Sequence, residues 1–362
     1  MRTMQAPLDN VTLQNITLPV EDWTNAYAAV QWIQLIMAIL SICGSGSIIV
    51  YTTFQNLTGT SEVRPLLFLS LADLLLALSW LVGALLFTQP HTSPCACQNL
   101  HTVEQIFYMS SFFYTLNYVW VLYRGLKEKY CRRLNGFPAQ FPEGTSSFGR
   151  ITVILSCLLP VLLMVPVFAV SNSDQCFANF SQPYKCLLMH TEALYPASTS
   201  SEEPLPCRLI HVYTIAIFLA AFIFTFVAIV VFMGKARSLY CRCISSSGFC
   251  GNQQWATLRV LERRMLLYPS AFFFCWGPAI FLAAAILFSP RLLEGGVGVF
   301  LYILQAFTSA SQGLLNCLVY GWTQRHFRTL KRRGMRDVDT QTPLLRAQKK
   351  GYATTSSRVG NT

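Results

Sequence analysis

The chemistry in this chain begins with an aspartate set in the middle of a long apolar run. Asp73 stands in Ser70-Leu71-Ala72-Asp73-Leu74-Leu75 and is the one acid at the middle of such a run. A carboxylate surrounded by hydrocarbon is costly, so it must face other protein and find polar partners. A run near the far end of the chain offers Ser309, Ser311, Gln312 and Asn316, and the first run offers Ser47. Such a cluster could hold a small cation or water and rearrange as helices shift; a static polar knot is the alternative. A second feature is Cys275-Trp276-Gly277-Pro278. Proline inside a helix removes a hydrogen bond and kinks it, so Trp276 would be a large lever beside the kink at Pro278. Pro160 and Pro166 should likewise bend the fourth run. Catalytic chemistry is thin: the chain has no P-loop, dinucleotide fingerprint, HExxH or paired CxxC. No enzyme activity, cofactor, metal site or nucleic-acid partner is expected. His91 and His101 flank Cys95 and Cys97 in what reads as a loop.

The elements that must position these residues are membrane-spanning helices. Apolar residues make up 53% of the 362 and charged residues 12%, against about a quarter charged in a soluble chain. Seven runs reach the ~20 residues that a helix needs to cross a bilayer: 28–51, 66–87, 103–126, 151–170, 209–233, 265–288 and 297–322. The third is the weakest, because Glu104, Gln105 and Asn117 interrupt it. The runs do not alternate as barrel strands do, and helices satisfy their own backbone groups as lipid requires. The expected fold is therefore an all-α seven-transmembrane bundle. The predicted organisation is an outer segment 1–26, the bundle 27–322, a basic amphipathic juxtamembrane helix 323–334 and a disordered tail 335–362.

Charge sets the orientation. With the N-terminus outside, all but four of the 27 Lys and Arg fall on the cytoplasmic side, the exceptions being Arg2, Lys185, Arg208 and Arg291. The net charge of +11 is thus spread among short segments between apolar runs, unlike a nucleic-acid-binding patch. The N-glycosylation triplets at Asn10, Asn15 and Asn179 fall on the outer side, and the one at Asn56 falls inside. Cys95, Cys97, Cys176, Cys186 and Cys207 are also predicted outside, where disulfides persist; five is odd, so one stays unpaired within the chain.

Several of these motifs carry a resemblance. Gly46-Ser47-Ile48-Ile49-Val50, Leu71-Ala72-Asp73, Cys275-Trp276-Gly277-Pro278 and Asn316-Cys317-Leu318-Val319-Tyr320 resemble the first-, second-, sixth- and seventh-span motifs of rhodopsin-like and cyclic-AMP-receptor-like G-protein-coupled receptors. Ser47 stands where that family usually has Asn, and Cys317 replaces its proline. The resemblance adds Tyr320 to the polar network of Ser47, Asp73, Gln312 and Asn316. It makes Trp276 and Pro278 a toggle and kink, and implies a disulfide from Cys97 to Cys186, with Cys176 and Cys207 as a second pair. The family's acid-Arg-Tyr triplet is present only as Tyr123-Arg124-Gly125. Arg124 is therefore either a G-protein interface residue or a positive-inside anchor. Closer still, Ser311-Gln312-Gly313-Leu314-Leu315-Asn316-Cys317 and Asp339-Thr340-Gln341-Thr342-Pro343-Leu344-Leu345 resemble stretches of an orphan seven-helix membrane protein with no assigned ligand.

The expected function is signal transduction by helix rearrangement. It would run from an extracellular or lipophilic ligand to a heterotrimeric G protein, at the plasma membrane or an endomembrane. The alternative is a non-signalling seven-helix scaffold or trafficking protein. Glycosidase treatment tests the orientation: it should lower the apparent mass of the parent and leave an Asn10→Gln/Asn15→Gln/Asn179→Gln variant unchanged. A glycan that survives only through Asn56 would reverse the topology.

Overall fold

The computed structural model describes residues 24–57, 63–89, 93–135, 144–174, 176, 186–187, 205–245, 252–288 and 296–325. Among the described residues the helices are α1 (Thr24–Phe54), α2 (Arg64–Phe87), α3 (Pro94–Asn135), α4 (Gly144–Ser173), α5 (Leu205–Ser245), α6 (Asn252–Phe288) and α7 (Gly296–Ala310). A further helix, Gln312–Arg325, follows α7 at an angle of 48°. Each predicted run lies within one of these, the seventh being shared between α7 and its bent continuation. Asn10, Asn15 and Asn179, and the tail beyond Arg325, lie outside the described residues.

The helices overrun the apolar runs, because backbone pairing continues where hydrocarbon stops. α3 begins at Pro94, so Cys95, Cys97 and His101 sit on a helix, not in a loop. α5 and α6 continue through most of the predicted connection between them. Gln312–Arg325 runs through residue 323, where the juxtamembrane helix was expected to begin, and the rest of that expected helix lies outside the described residues. α1 ends at a turn where Asn56 takes φ 49°, a left-handed conformation that Asn tolerates better than most residues.

α1, α2, α4, α5 and α6 are each long and apolar enough to cross a membrane, and α7 with its continuation is so as one bent span. α3 is not, and packing explains why. It touches α2, α4, α5 and α6 and occupies the middle of the bundle. Its polar residues Gln98, Thr102, Glu104, Gln105, Ser110, Ser111, Thr115 and Asn117 are all buried against protein. An average over its sequence therefore understates how well it suits a bilayer. The outer helices show the opposite pattern: Ile151, Ile154, Leu155, Leu158 and Leu162 of α4 are exposed, as a lipid-facing surface requires.

The core centres on aromatic rings from α3, α5 and α6. Phe112 meets Trp276 edge-on at 4.8 Å and Phe272 at 5.3 Å, while Tyr108 meets Phe218 at 5.0 Å. These separations lie in the range that favours edge-to-face rings. α4 and α6 run as continuous helices through Pro160 and Pro166 and through Pro269 and Pro278. The break lies instead at Ser311, where no proline stands. There Ser311 Oγ donates to the Thr308 carbonyl at 2.7 Å and Ser311 N–H to the same carbonyl at 3.2 Å. Hydroxyl back-bonding of this kind bends helices.

The break also lets α1 come close. Ser41 Oγ accepts from the Gly313 N–H at 2.8 Å. A Cβ on Gly44 would fall 2.8 Å from the Gly313 carbonyl oxygen, and one on Gly313 would fall 2.8 Å from the Ser41 carbonyl oxygen. Backbone on both sides leaves little room to yield. Gly44→Ala should therefore cost about 1–3 kcal/mol, read as a lower melting temperature of the purified protein. Gly46, whose added Cβ would meet nothing within 4 Å, should tolerate alanine.

Candidate functional site

Asp73 is 2% exposed on the inward face of α2. Its Oδ1 accepts from Ser111 Oγ of α3 and Gln312 Nε2, both at 2.8 Å, and its Oδ2 accepts from Asn316 Nδ2 at 2.7 Å. Gln312 Nε2 also reaches Ser111 Oγ, and Gln312 Oε1 accepts from Trp276 Nε1 of α6. One carboxamide therefore joins the indole of α6 to the carboxylate of α2 and the hydroxyl of α3. Gln312 holds that position because it is the first residue after the break at Ser311. Beside it, Ser309 Oγ donates to the Cys275 carbonyl at 3.3 Å, in the turn that Pro278 loosens. With both carboxylate oxygens already accepting protein hydrogen bonds, a sodium-sized cation would have to turn the amide nitrogens away.

The sequence-predicted residues divide here. Asp73, Gln312 and Asn316 come together with Trp276. Ser47 does not join them: it is exposed, and its hydroxyl donates to the Cys43 carbonyl of its own helix at 2.6 Å. It lies on the wrong face of α1. The buried α1 serines are Ser41 and Ser45, and Ser41 makes the contact to the seventh span. Tyr320 is buried one turn beyond Asn316. Its ring faces Tyr51 at 5.9 Å, and its hydroxyl accepts from Gln324 Nε2 at 3.2 Å. Arg124 is half-buried with its guanidinium 4.8 Å from the Trp120 ring centroid. A different arginine enters the bundle: Arg264 of α6 is 8% exposed, donates from Nε to Thr323 Oγ1 at 3.4 Å and lies 5.7 Å from the Tyr320 ring centroid.

Disulfides join Cys97 to Cys186 and Cys176 to Cys207. The cysteine left over is Cys95, whose sulfur lies 3.5 Å from Asn172 Oδ1. The first disulfide draws Cys186 and Leu187 into the bundle end, where both are buried among Tyr27, Val30, Leu282, Tyr302 and Ala306.

Sequence reasoning missed Ser111 and a second buried layer. Seven residues make two helical turns, ~10.5 Å, and return to nearly the same face. Two turns toward the disulfide end from Ser41, Asp73, Ser111 and Gln312 stand Gln34, Trp80, Glu104 and Gln305, each no more than 2% exposed. Glu104 is thus a second inward acid beside Asp73. Its Oε2 lies 3.2 Å from His101 Nδ1, and His101 Nε2 lies 3.1 Å from Gln105 Nε2. Neither amide atom of Gln305 has a hydrogen-bond partner among the described residues. The sequence signal was available: polar residues at spacings of three, four and seven along the third run.

The family model described as Transmembrane protein 116 matches residues 27–354. The chain belongs to that family. Its fold is similar to that in the crystal structure of squid rhodopsin, at a TM-score of 0.55 and 14% identity over 87% of each chain. The protein is therefore a multi-pass membrane protein with a rhodopsin-like helix bundle, and the Transmembrane protein 116 match covers that bundle from Tyr27 of α1 onward.

Gln312→Leu should cost about 1–3 kcal/mol, because it leaves the Trp276 N–H buried without its acceptor. Trp276→Phe in that background should cost about 1 kcal/mol less than in the parent, the coupling expected for direct partners. Denaturation of the four proteins in one detergent measures both; simple additivity would mean that the indole–amide bond contributes nothing.

Proposed function

We propose that this protein is a receptor-like signal transducer without enzymatic activity, its N-terminus outside and its coupling face at the Arg-rich end. The observation that carries this reading is the Trp276–Gln312–Asp73 chain, which spans three helices at a break in the seventh span. A ligand shifts an equilibrium only by binding two states differently. A layer whose members all share one amide has a small number of discrete hydrogen-bonding arrangements, which suits a two-state element. The ligand would sit toward the disulfide end, between α3, α5, α6 and α7, where Glu104 and Gln305 offer a carboxylate and an amide. Small helix shifts of the known repertoire would then pass through Trp276 to the opposite end, where a heterotrimeric G protein would dock. The outside N-terminus is supported by the Lys and Arg bias and by the two disulfides gathered at one end.

A second reading is a non-signalling scaffold or trafficking protein of the same fold. The incomplete Tyr123-Arg124-Gly125 triplet favours it, as does the stacking of Arg124 on Trp120, which suits an interfacial anchor. A panel of G-protein activation assays on surface-confirmed protein separates the two. The receptor reading expects basal or evoked activity in the parent, altered by Asp73→Asn and lowered by Arg124→Ala. A silent parent across the panel, with proximity labelling that recovers sorting machinery and no G protein, would favour the scaffold.

A further inference from the structure

Two neighbouring lipid-facing stripes end at the same level. On α6, Arg263 continues a stripe that includes Ser270, Phe274 and Phe281, at spacings of seven, four and seven; Phe274 and Phe281 are more than half exposed. On the helix Gln312–Arg325, Leu318 (58% exposed), Trp322 (50% exposed) and Arg325 form a second stripe at spacings of four and three. The two stripes join through Arg263, whose guanidinium lies 5.2 Å from the Trp322 ring centroid. The apolar surface of both helices thus gives way to an indole and the guanidinium groups of Arg263 and Arg325. Indole rings favour the headgroup level of a bilayer. The neighbouring acid on α6, Glu262, faces Tyr240 of α5, as does Arg259, so both are directed to the other side of the helix.

We propose that the Arg263–Trp322–Arg325 surface, where α6 meets Gln312–Arg325, is a binding site for the phosphate headgroup of an anionic phospholipid. Guanidinium forks match phosphate geometry in a way that a point charge does not. Basic pockets between membrane helices hold polyanionic headgroups by this chemistry. The occupant is a lipid, not a soluble anion, because the cationic surface is continuous with the exposed Leu318 and Leu266 below it, where acyl chains would lie. A zwitterionic choline headgroup would bring a cation up to two others. The bound lipid would tie α6 to the inner half of the seventh span on their outer side, opposite the buried Arg264–Thr323 contact. The binding is independent of the receptor reading and is measured without any signalling readout.

The full-length protein is reconstituted in phosphatidylcholine nanodiscs with and without phosphatidylinositol bisphosphate. Retained lipid is read by native mass spectrometry and stability by melting temperature. The parent should retain the anionic lipid and melt higher with it, and free inositol phosphate should leave the melting temperature unchanged. Arg263→Gln/Arg325→Gln should lose retention by about fivefold per charge removed, and Trp322→Leu should weaken it less. Lys235→Gln/Arg237→Gln removes two exposed charges at the same end of α5 and should stay within about twofold of the parent. If the double arginine variant does not fold, Arg325→Gln alone, at an exposed position, should still show the single-charge loss. Equal loss in the α5 variant would reduce the effect to diffuse surface charge and overturn the site. So would equal retention of phosphatidylcholine and the anionic lipid by the parent.

Discussion

A carboxylate shut inside a protein that is itself surrounded by hydrocarbon has no water to fall back on, and the arrangement around Asp73 follows from that need. Three donors from two other parts of the bundle reach its two oxygens. α3 must lie beside α2 for Ser111 to arrive, and the seventh span must bend for Gln312 and Asn316 to arrive together. The bend brings the span within a glycine's width of α1 at Gly44 and Gly313. It also leaves the side-chain amide oxygen of Gln312 toward α6, where the Trp276 indole completes the set. A buried polar group that loses a partner costs more than the bond was worth, so these contacts stand or fall together.

Around that layer the bundle is graded by depth. Aromatic rings of α3, α5 and α6 pack against the far side of Trp276. Two turns toward the disulfides lies a second buried polar layer, with Glu104 and its His101 neighbour. At the opposite end tyrosines and Arg264 close the interior. Hence Leu, Ile, Val and Phe lie outermost, and the interior mixes an apolar and aromatic core with buried polar layers. α3, which carries many of those buried polar residues, occupies the middle.

Much of the fold was legible because lipid imposes a length and a composition on whatever crosses it. All seven runs became helices, and the motifs around Asp73, Trp276 and Asn316 marked residues that do meet. The fine placements were not legible. Ser47 was assigned to the network from a motif position, but the face of α1 that packs inward carries Ser41 and Ser45. Prolines marked α4 and α6 as sites of bending, but no such residue marked the break at Ser311, where side-chain hydroxyls compete for backbone carbonyls. Glu104 was taken as an interruption of the third run because a hydropathy reading does not record which neighbours surround a helix.

The sequence by itself therefore determined that this is a helical membrane protein, which segments form its long helices, and that Asp73 needed partners. Those conclusions rest on hydrocarbon thickness and the cost of burying charge, which act on each segment independently. Only the tertiary structure decided the partners. It placed Gln312 as the shared amide, Ser111 beside it, Arg264 inside and Arg263 over the exposed Trp322. Adjacent residues one position apart on a helix point about 100° apart, so inside or outside depends on the rotation of each helix against its neighbours. Packing across the bundle sets that rotation.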